Sequence, residues 1–414
     1  MSATEMGLST GAAGLAGPEG GASGVASTAA GSAGGAFGVA SGAAGPAGGA
    51  SGASAVASGA AGPGSVAELR GHFGVRPGYL AACMIGVPPR ETVAALAADL
   101  GDWAGGHPEP ARYGVAVEEA RAAFARLVGM PVDDVAVGSQ VSVQAAMVAA
   151  SLPEGSEVLA VEGDFSSMVF PFLVQQQLGR LTVRCVPLAE LAGAIRPSTT
   201  LVSFSLVQSA TGRVADAEAI VAAAAQHGAA TFCDTTQACG WMPVDAARFD
   251  ATVCHAYKWL CAPRGTSFLT LRPEFAARLT PVQAGWYAGD DVWGSCYGPG
   301  MRLAAGARRF DVSPAWQAWL GTAPAIELFA SADLAAVREH CVGLADELCR
   351  RLGVDSVGSA IATWPDADGR AMAALTAAGI AASARAGRVR VAFHVWNDLA
   401  DVDAVCAAVA ALAA

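Results

Sequence analysis

The sequence has 414 residues but contains only one lysine, Lys258, although lysine and arginine together number 25. Every other residue of these two types is arginine, whose guanidinium does not lose its proton in proteins. A solvated surface lysine is the simplest interpretation of Lys258, but surface lysines normally occur in numbers. A neutral lysine amine can attack a carbonyl carbon to form a Schiff base, and this is the chemistry that we predict for Lys258.

The sequence also lacks long hydrophobic runs and basic clusters. No stretch of 18 apolar residues is free of polar interruption, and the first residues lack the basic start and Leu-rich core of a signal peptide. The net charge is −11 without a basic patch, which disfavours nucleic acid as a partner. We therefore expect a cytoplasmic protein that has neither a membrane nor a nucleic acid as its partner.

Large apolar side chains are nearly absent from residues 1–66, which consist mainly of Gly, Ala and Ser. The heptapeptide ASGAAGP occurs there twice, at 40–46 and 57–63. Such a segment cannot bury enough apolar surface to offset the entropy lost on ordering. The composition predicts a disordered tail over residues 1–66.

The ten cysteines include no C-x-x-C pair, and we expect them to be reduced thiols. Cys233, Cys239, Cys254 and Cys261 are close in sequence to His255, so a metal site is one interpretation of this group. Most of these cysteines lie in or beside apolar runs typical of strands, which favours buried thiols. We expect no metal site.

From about residue 134, short β-branched runs alternate with longer alanine-rich amphipathic stretches, which indicates a largely parallel sheet covered on both faces. The predicted strands are DVAVGS, EVLAVEG, TLVSFSLV, AATFCD, ATVCH and SFLTL. Helices at about 315–352 and 369–380, a strand GRVRVAFHV and a last helix indicate a second, smaller domain. We expect an N-terminal segment at 67–105 that packs with this small domain, a large domain at 106–305 and the small domain at 306–414.

Polar residues follow several predicted strands, at the sheet edge where ligands bind in such folds. Asp234 ends the strand AATFCD, where its carboxylate could hold a proton on the ring nitrogen of pyridoxal phosphate, the cofactor that suits a Schiff-base lysine. Gln237 could bond the hydroxyl of that ring. The alternative role of Asp234 is to cap the following turn.

The stretch GSQVSVQ at 138–144 passes from a strand through Gly138 and two polar residues into a helix. Backbone N–H groups and the dipole at a helix start form an anion site, which suits a phosphate group. Phe165 follows another strand and could stack on the cofactor ring, although a core position is about as common for such an aromatic residue.

Six stretches together resemble the class V aminotransferase family of fold-type I pyridoxal-phosphate enzymes, which includes cysteine desulfurases, kynureninases and isopenicillin-epimerase-like proteins. They are FCDTTQACGWMPVD, HAYKWLCAPRG, GSQVSVQ, LVQSATG, ARRFDVSP and RVRVAFHVWND. The resemblance covers about residues 79–414. It implies a mostly parallel seven-stranded sheet flanked by helices, a smaller α+β C-terminal domain and a homodimer with active sites at the interface.

The resemblance also implies a role for each matching residue. Lys258 resembles the lysine that bonds the cofactor, and Arg390 the arginine that grips the substrate carboxylate with two hydrogen bonds. The remaining cofactor-binding residues implied are Asp234 and Gln237 at the ring, Phe165 stacked on it, Ser139, Gln140, His255 and Tyr257 around the phosphate, and Thr266 reaching the phosphate of the neighbouring subunit.

Some positions differ from the family pattern and leave the reaction open. Ala82 and Leu206 stand where many relatives have polar residues, Tyr257 favours kynureninase-like and epimerase-like members, and Cys296 is the loop cysteine that a desulfurase would need. We expect an aminotransferase or lyase, by β-elimination or C–S cleavage, that acts on a small amino acid. The alternatives are an epimerase or cysteine desulfurase, a non-catalytic homologue that binds the cofactor, and a metal-binding redox protein.

Overall fold

A computed structural model describes residues 64–410 of the chain. The predicted tail lies outside the described residues except for positions 64–66, and Val66 begins the first helix. The helices are α1 (Val66–Arg70), α2 (Arg90–Ala104), α3 (Pro110–Leu127), α4 (Val141–Ser151), α5 (Ser166–Gln177), α6 (Ala217–His227), α7 (Pro273–Ala276), α8 (Trp316–Ala330), α9 (Leu334–Leu352), α10 (Arg370–Ala377) and α11 (Leu399–Ala410). The strands are β1 (Val135–Gly138), β2 (Ser156–Val161), β3 (Leu181–Val186), β4 (Thr199–Ser205), β5 (Ala230–Asp234), β6 (Ala251–His255), β7 (Ser267–Leu271), β8 (Ile361–Pro365), β9 (Ser383–Arg385) and β10 (Arg388–Ala392).

The main sheet has seven strands in the order β1, β7, β6, β5, β4, β2, β3. Strands β2 to β6 pair in parallel, and β7 runs antiparallel to both of its neighbours, β1 and β6. The expected mostly parallel seven-stranded sheet is therefore confirmed. Because the sheet is parallel apart from β7, the carboxyl ends of β1, β4, β5 and β6 lie along one edge.

Apolar cores cover both faces of this sheet. One core contains side chains from α3, α6 and α8, and the other contains side chains from α4, α5 and α7. Strands β2, β5 and β6 are buried along their whole length, which is why their sequences read as nearly continuous apolar runs.

A second sheet, with the order β8, β10, β9, is antiparallel and packs with α9, α10 and α11. It falls within residues 306–414, where the sequence predicts the small domain, and the boundary at 305 stays a prediction. The segment before α2 reaches this sheet, because Tyr79 forms a bridge with Ala381 and Ala81 forms one with Ala392. Helix α2 itself packs along α8, where the Thr92 hydroxyl donates to the Gly321 carbonyl at 2.7 Å.

The outer edge of β1 is closed by a buried ion pair. Arg121, on α3, donates to the Asp311 carboxylate at 2.7 Å, and both side chains are fully buried. Arg121 also donates to the Val135 carbonyl, and Asp311 accepts from the Val137 amide at 2.8 Å. The ion pair therefore provides hydrogen-bond partners for the Val135 carbonyl and the Val137 amide, which no neighbouring strand provides.

The sequence also predicts a protein with neither a membrane partner nor a metal site. Across residues 64–410 no single helix is long and apolar enough to cross a membrane; α8 and α9, bent by 90°, pass that test only as a pair. In the same part of the chain, no three His, Cys, Asp or Glu side chains are grouped as metal ligands. The cysteines are free thiols, and Cys233, Cys239, Cys254 and Cys261 are buried.

Candidate active site

Lys258 lies three residues beyond the end of β6, in a pocket at the carboxyl edge of the main sheet, and is only 6% exposed. Its Nζ lies 5.2 Å from the centre of the Phe165 ring and 5.8 Å from that of Tyr257. Within the described residues Nζ makes no hydrogen bond. Burial lowers the pKa of Lys258 to about 8, although the nearby Asp234 carboxylate opposes this shift. A substantial fraction of the amine is therefore neutral near pH 8, as a nucleophile or base requires.

Two glycines allow the backbone around Lys258 to pack closely. A Cβ at Gly86 would lie 2.0 Å from the Lys258 carbonyl oxygen, and one at Gly240 would lie 2.4 Å from that of Trp259. Gly240 also has a φ of +109°, which favours glycine. The Gly86 amide donates to the Tyr257 carbonyl at 2.8 Å. The lysine segment is thus held between residues that precede α2 and residues that follow β5.

Asp234, the last residue of β5, lies in the same pocket and is 5% exposed. Burial raises its pKa to about 6, while the hydrogen bond from the Thr236 amide and the charge of Lys258 act in the opposite direction. The Thr236 bond, 2.8 Å long, shows that Asp234 does accept from the following turn. The carboxylate therefore both caps this turn and lies where it could stabilise a cation in the pocket.

Phe165 forms part of the pocket wall at the start of α5, and Asp164 fixes its position. The Asp164 carboxylate accepts from the Phe165 amide at 2.7 Å, and from the amide and hydroxyl of Ser205 at 2.8 and 2.6 Å. The turn that carries Phe165 is therefore bonded to the end of β4. The aromatic ring lies over the lysine amine, as a stacking role would require.

Another part of the pocket is lined by Gln140, His255 and Tyr257. Gln140 is the N-cap of α4 and makes no side-chain capping bond, so the first turn of α4 keeps backbone donors for an anion. Burial lowers the pKa of His255 to about 3, so its imidazole is neutral at pH 7. Burial also raises the pKa of Tyr257. This region offers neutral hydrogen-bonding groups at a helix start.

Two residues expected at the phosphate do not line this pocket. Ser139 is half-buried beside the pocket, directly before Gln140. Thr266 is fully buried; its hydroxyl donates to the Pro263 carbonyl at 3.1 Å and accepts from the Thr322 hydroxyl at 3.0 Å. A buried and fully bonded hydroxyl cannot reach a neighbouring subunit, so this placement does not fit the role expected of Thr266.

Gln237 and Arg390 meet at Ser209, which the sequence did not single out. The Gln237 amide nitrogen donates to the Ser209 hydroxyl at 3.1 Å and to the Cys83 carbonyl at 2.9 Å, and its oxygen accepts from the Trp259 indole. Both amide hydrogens of Gln237 are therefore engaged, and a bond to a ligand hydroxyl would have to replace one of them.

Arg390 is buried behind Ser209 rather than in the pocket wall. Its Nη1 donates to the carbonyl and hydroxyl oxygens of Ser209, and its Nε donates to the Ser383 hydroxyl at 3.1 Å. Of the three guanidinium nitrogens of Arg390, only Nη2 makes no hydrogen bond to a described residue, so a two-point grip on a carboxylate would require Arg390 to release Ser209 or Ser383. The Ser209 hydroxyl accepts from both Arg390 and Gln237, which leaves its own proton free to donate. Ser209 lies just beyond the end of β4, next to Gln208, and this position is the sequence signal that could have identified Ser209.

His394 is a second residue that the sequence did not single out. It is fully buried, with its ring stacked on that of Trp396 at 4.1 Å. The Val395 amide donates to its Nδ1 at 2.8 Å, so Nε2 carries the proton and donates to the Trp259 carbonyl at 2.9 Å. Since His394 follows β10, which carries Arg390, it connects the strand of the arginine to the segment of the lysine.

Comparisons with known proteins agree on a family. The profile of the aminotransferase class-V family matches residues 103–386. An isopenicillin N epimerase of Streptomyces clavuligerus is 29% identical over 273 residues, which is 60% of this chain and 67% of the epimerase. A kynureninase of Deinococcus radiodurans is 31% identical over 241 residues, which is 55% of this chain and 57% of the kynureninase. The chain thus spans between about half and two thirds of the length of these relatives.

The solved structure of the cysteine desulfurase CsdA from Escherichia coli has the same fold. It superposes with a TM-score of 0.73 at 18% identity, and the superposition covers 84% of this chain and 98% of that enzyme. The relatives carry the names of different reactions, so the comparisons support a family and a fold rather than one reaction.

Proposed function

Because the chain belongs to the class-V aminotransferase family, we propose that it is an enzyme that acts on the α-amine of a small amino acid, as an aminotransferase or lyase. Its cofactor is pyridoxal 5′-phosphate. The observation that carries the proposal is the placement of the sole lysine, buried in a pocket with its amine unbonded within the described residues and close to a buried carboxylate.

The residues of the pocket fit this cofactor. The pocket contains about 680 Å³ of empty space, part of it open to solvent, between the Phe165 ring, Asp234 and the start of α4. A buried carboxylate whose pKa is raised by burial gains a partner when a protonated ring nitrogen binds beside it. When bound, pyridoxal phosphate supplies an aldehyde that reacts with amines and a ring that withdraws electrons from the bonds at the substrate Cα.

The chain's own residues have distinct parts in the proposal. Lys258 would hold the cofactor through Nζ, and its neutral amine would move the proton at the substrate Cα. Asp234 keeps the ring nitrogen protonated, and Phe165 covers one face of the ring and excludes water. Arg390, through Nη2 and with Ser209 beside it, binds the substrate α-carboxylate. Gln140, His255 and Tyr257 donate to the phosphate.

A cysteine desulfurase is the second candidate, and one exposed thiol favours it. Cys296 lies in the segment between Gly289 and Leu303, and the adjacent Tyr297 is 91% exposed. A thiol on an exposed segment could accept sulfur from a substrate, as a desulfurase requires. Release of alanine together with persulfide on Cys296, lost in Cys296→Ser, would select this candidate over an aminotransferase or lyase.

We also propose that the chain is a cytoplasmic homodimer with active sites at the subunit interface. The support is a set of large apolar side chains exposed on α2 and on the segment that carries Cys296, namely Leu100, Trp103, Trp293, Tyr297 and Met301. Aromatic and methionine side chains are enriched at protein interfaces. Light scattering coupled to size-exclusion chromatography tests the dimer, and a monomer at micromolar concentration would contradict it.

Lys258 provides the decisive test of the function. Borohydride reduction of the cofactor-loaded protein should leave a pyridoxyl group on the peptide HAYKWLCAPR, detected by mass spectrometry, because the chain has no other lysine. Lys258→Ala should lose nearly all turnover in a screen of amino acids that measures keto acid, ammonia, sulfide and alanine. An active Lys258→Ala protein, or an adduct found only on the N-terminal amine, would exclude the proposed chemistry; an adduct on Lys258 without any turnover would indicate a non-catalytic homologue.

A further inference from the structure

The turn formed by Pro263, Arg264 and Gly265 lies at the edge of the sheet where the pocket opens. It leads directly into β7, whose first residue, Ser267, pairs with both Gly138 at the end of β1 and His255 at the end of β6. Gly265 has a φ of +102° and donates its amide to the His255 ring at 3.4 Å. The turn is therefore bonded to the end of β6 and lies close to the start of α4.

Arg264 is the permanent cation of this part of the pocket. Its guanidinium carbon lies 5.0 Å from the centre of the Tyr257 ring, and it makes no ion pair with any described residue. The other charged side chains that line the pocket are Asp234 and Lys258. Neutral His255 and neutral Tyr257 cannot balance the charge of an anion.

An oxyanion bound at the start of α4 would be surrounded by neutral donors without Arg264. Gln140 leaves the α4 terminus without a side-chain cap, while His255 and Tyr257, with ring centres 4.4 Å apart, line the same pocket. A permanent positive charge stabilises a phosphate dianion in such a site, and a guanidinium matches the phosphate oxygens geometrically. Stacking on Tyr257 holds the guanidinium near these donors.

We propose that Arg264 binds the phosphate group of the cofactor and supplies the positive charge of a cradle formed by Gln140, His255 and Tyr257. The inference rests on the proposed function, because it requires pyridoxal phosphate to occupy this pocket. It also assigns a role to the Pro-Arg-Gly turn that follows the sole lysine.

The test compares two forms of the cofactor that differ only in the phosphate. Cofactor-free protein is titrated with pyridoxal phosphate and, separately, with pyridoxal, and binding is followed by absorbance. Arg264→Gln should weaken pyridoxal phosphate binding by about tenfold to a hundredfold and leave pyridoxal binding unchanged, since only the phosphate contact is lost. Arg264→Lys, which keeps the charge, should recover most of the affinity.

Arg278→Gln is the matched control. Arg278 is exposed and lies 5.2 Å from the Phe275 ring, so the control removes a similar stacked guanidinium outside the pocket. It should leave the binding of both compounds unchanged.

Several outcomes would overturn the proposal. One is equal affinity of Arg264→Gln and the unchanged protein for pyridoxal phosphate; another is an equal loss of affinity for both compounds. If Arg264→Gln kept its affinity for the cofactor but had a raised KM only for acidic amino acids, Arg264 would bind the substrate side chain instead. If the unchanged protein bound no pyridoxal phosphate, the proposed function would itself be contradicted.

Discussion

At the scale of single residues, the positions of the site follow from where each strand ends. Asp234 and His255 end β5 and β6, and Lys258 and Gln237 follow within three residues of those ends, so strand prediction alone brings them to one pocket. Arg390 and Ser209 could not be paired in this way, because their contact joins segments 181 residues apart. The burial of Thr266 was also unpredictable, since it depends on Thr322 of α8.

Asp234 should destabilise the protein when the cofactor is absent. Its folded pKa of about 6 lies above the ordinary 3.8, so the folded state disfavours the carboxylate. The penalty begins as the pH rises above the unfolded pKa and is complete above about pH 6. Asp234→Asn should therefore raise the free energy of unfolding of the cofactor-free protein by up to about 3 kcal/mol at pH 8, measured with urea.

The pH dependence separates this effect from a general gain in packing. The advantage of Asp234→Asn should be smaller at pH 5 than at pH 8 by about 1 kcal/mol, because the wild-type carboxyl is then mostly protonated in the folded state. The same substitution should impair turnover of the loaded enzyme, because asparagine cannot hold the ring proton by charge. If Asp234→Asn were less stable than the unchanged protein at pH 8, the favourable contacts of the Asp234 carboxylate would outweigh the cost of burying its charge.

At the scale of helices and strands, hydrophobic runs predict the buried strands well and the strands at the sheet edge poorly. Strand β2 ends in the apolar run VLAV and is predicted from the sequence, whereas β3 lies at the sheet edge with only Leu181 buried and is not predicted. Helix α3 was also missed, and it directs a charged residue, Arg121, into the interior. Its burial is possible because Asp311, 190 residues away, meets it at β1, and such a pairing leaves no local signal.

The ion pair of Arg121 and Asp311 should matter far more than a surface pair. Asp311→Ala leaves the buried guanidinium with only the half-exposed Glu118 carboxylate as an ion-pair partner and should lower the free energy of unfolding by about 3 kcal/mol. The double variant Arg121→Met, Asp311→Leu should lose less, since the charge it leaves unpaired, that of Glu118, is half exposed to solvent. The control is Glu327→Ala, which removes a pair with Arg126 in which both side chains are more than half exposed and should cost below about 1 kcal/mol. The free energies of unfolding are measured by chemical denaturation. An equal loss in Asp311→Ala and Glu327→Ala would contradict this account.

His394 should hold the segment after β10 against the lysine segment. His394→Phe keeps an aromatic ring for stacking but leaves the Trp259 carbonyl with only the weak Cys261 thiol donor, and should cost about 1–3 kcal/mol of stability. It should also alter the absorbance of the bound cofactor, because Trp259 follows Lys258 directly. His394→Gln, which can still donate, should recover part of both effects. Normal stability and spectrum in the Phe variant would show that stacking alone positions Trp259.

For the molecule as a whole, the pattern of alternating strands and helices predicts the main sheet, while the division into domains is harder to predict. The segment at 79–86 contacts both sheets: Ala81 bridges to β10, and the Gly86 amide bonds the carbonyl of Tyr257 beside the lysine. Arg390 likewise reaches from β10 to Ser209, beyond the end of β4. The residues that line the pocket therefore belong to the large predicted domain, while Arg390 and the segment at 79–86 connect the second sheet to residues beside the pocket.

This arrangement predicts that cofactor binding protects both sheets at once. A ligand that binds only the folded state stabilises it by about 2.7 kcal/mol at a hundredfold excess over its Kd. Hydrogen exchange should therefore slow in the strands beside the lysine, β6 and β7, and also in β8 and β10, which do not line the pocket. Pyridoxal, which binds the same lysine without the phosphate, should protect the same strands at matched saturation. If β8 and β10 exchanged at the same rate with and without cofactor, the second sheet would open independently, and the contacts of Arg390 and His394 would not couple it to the active site.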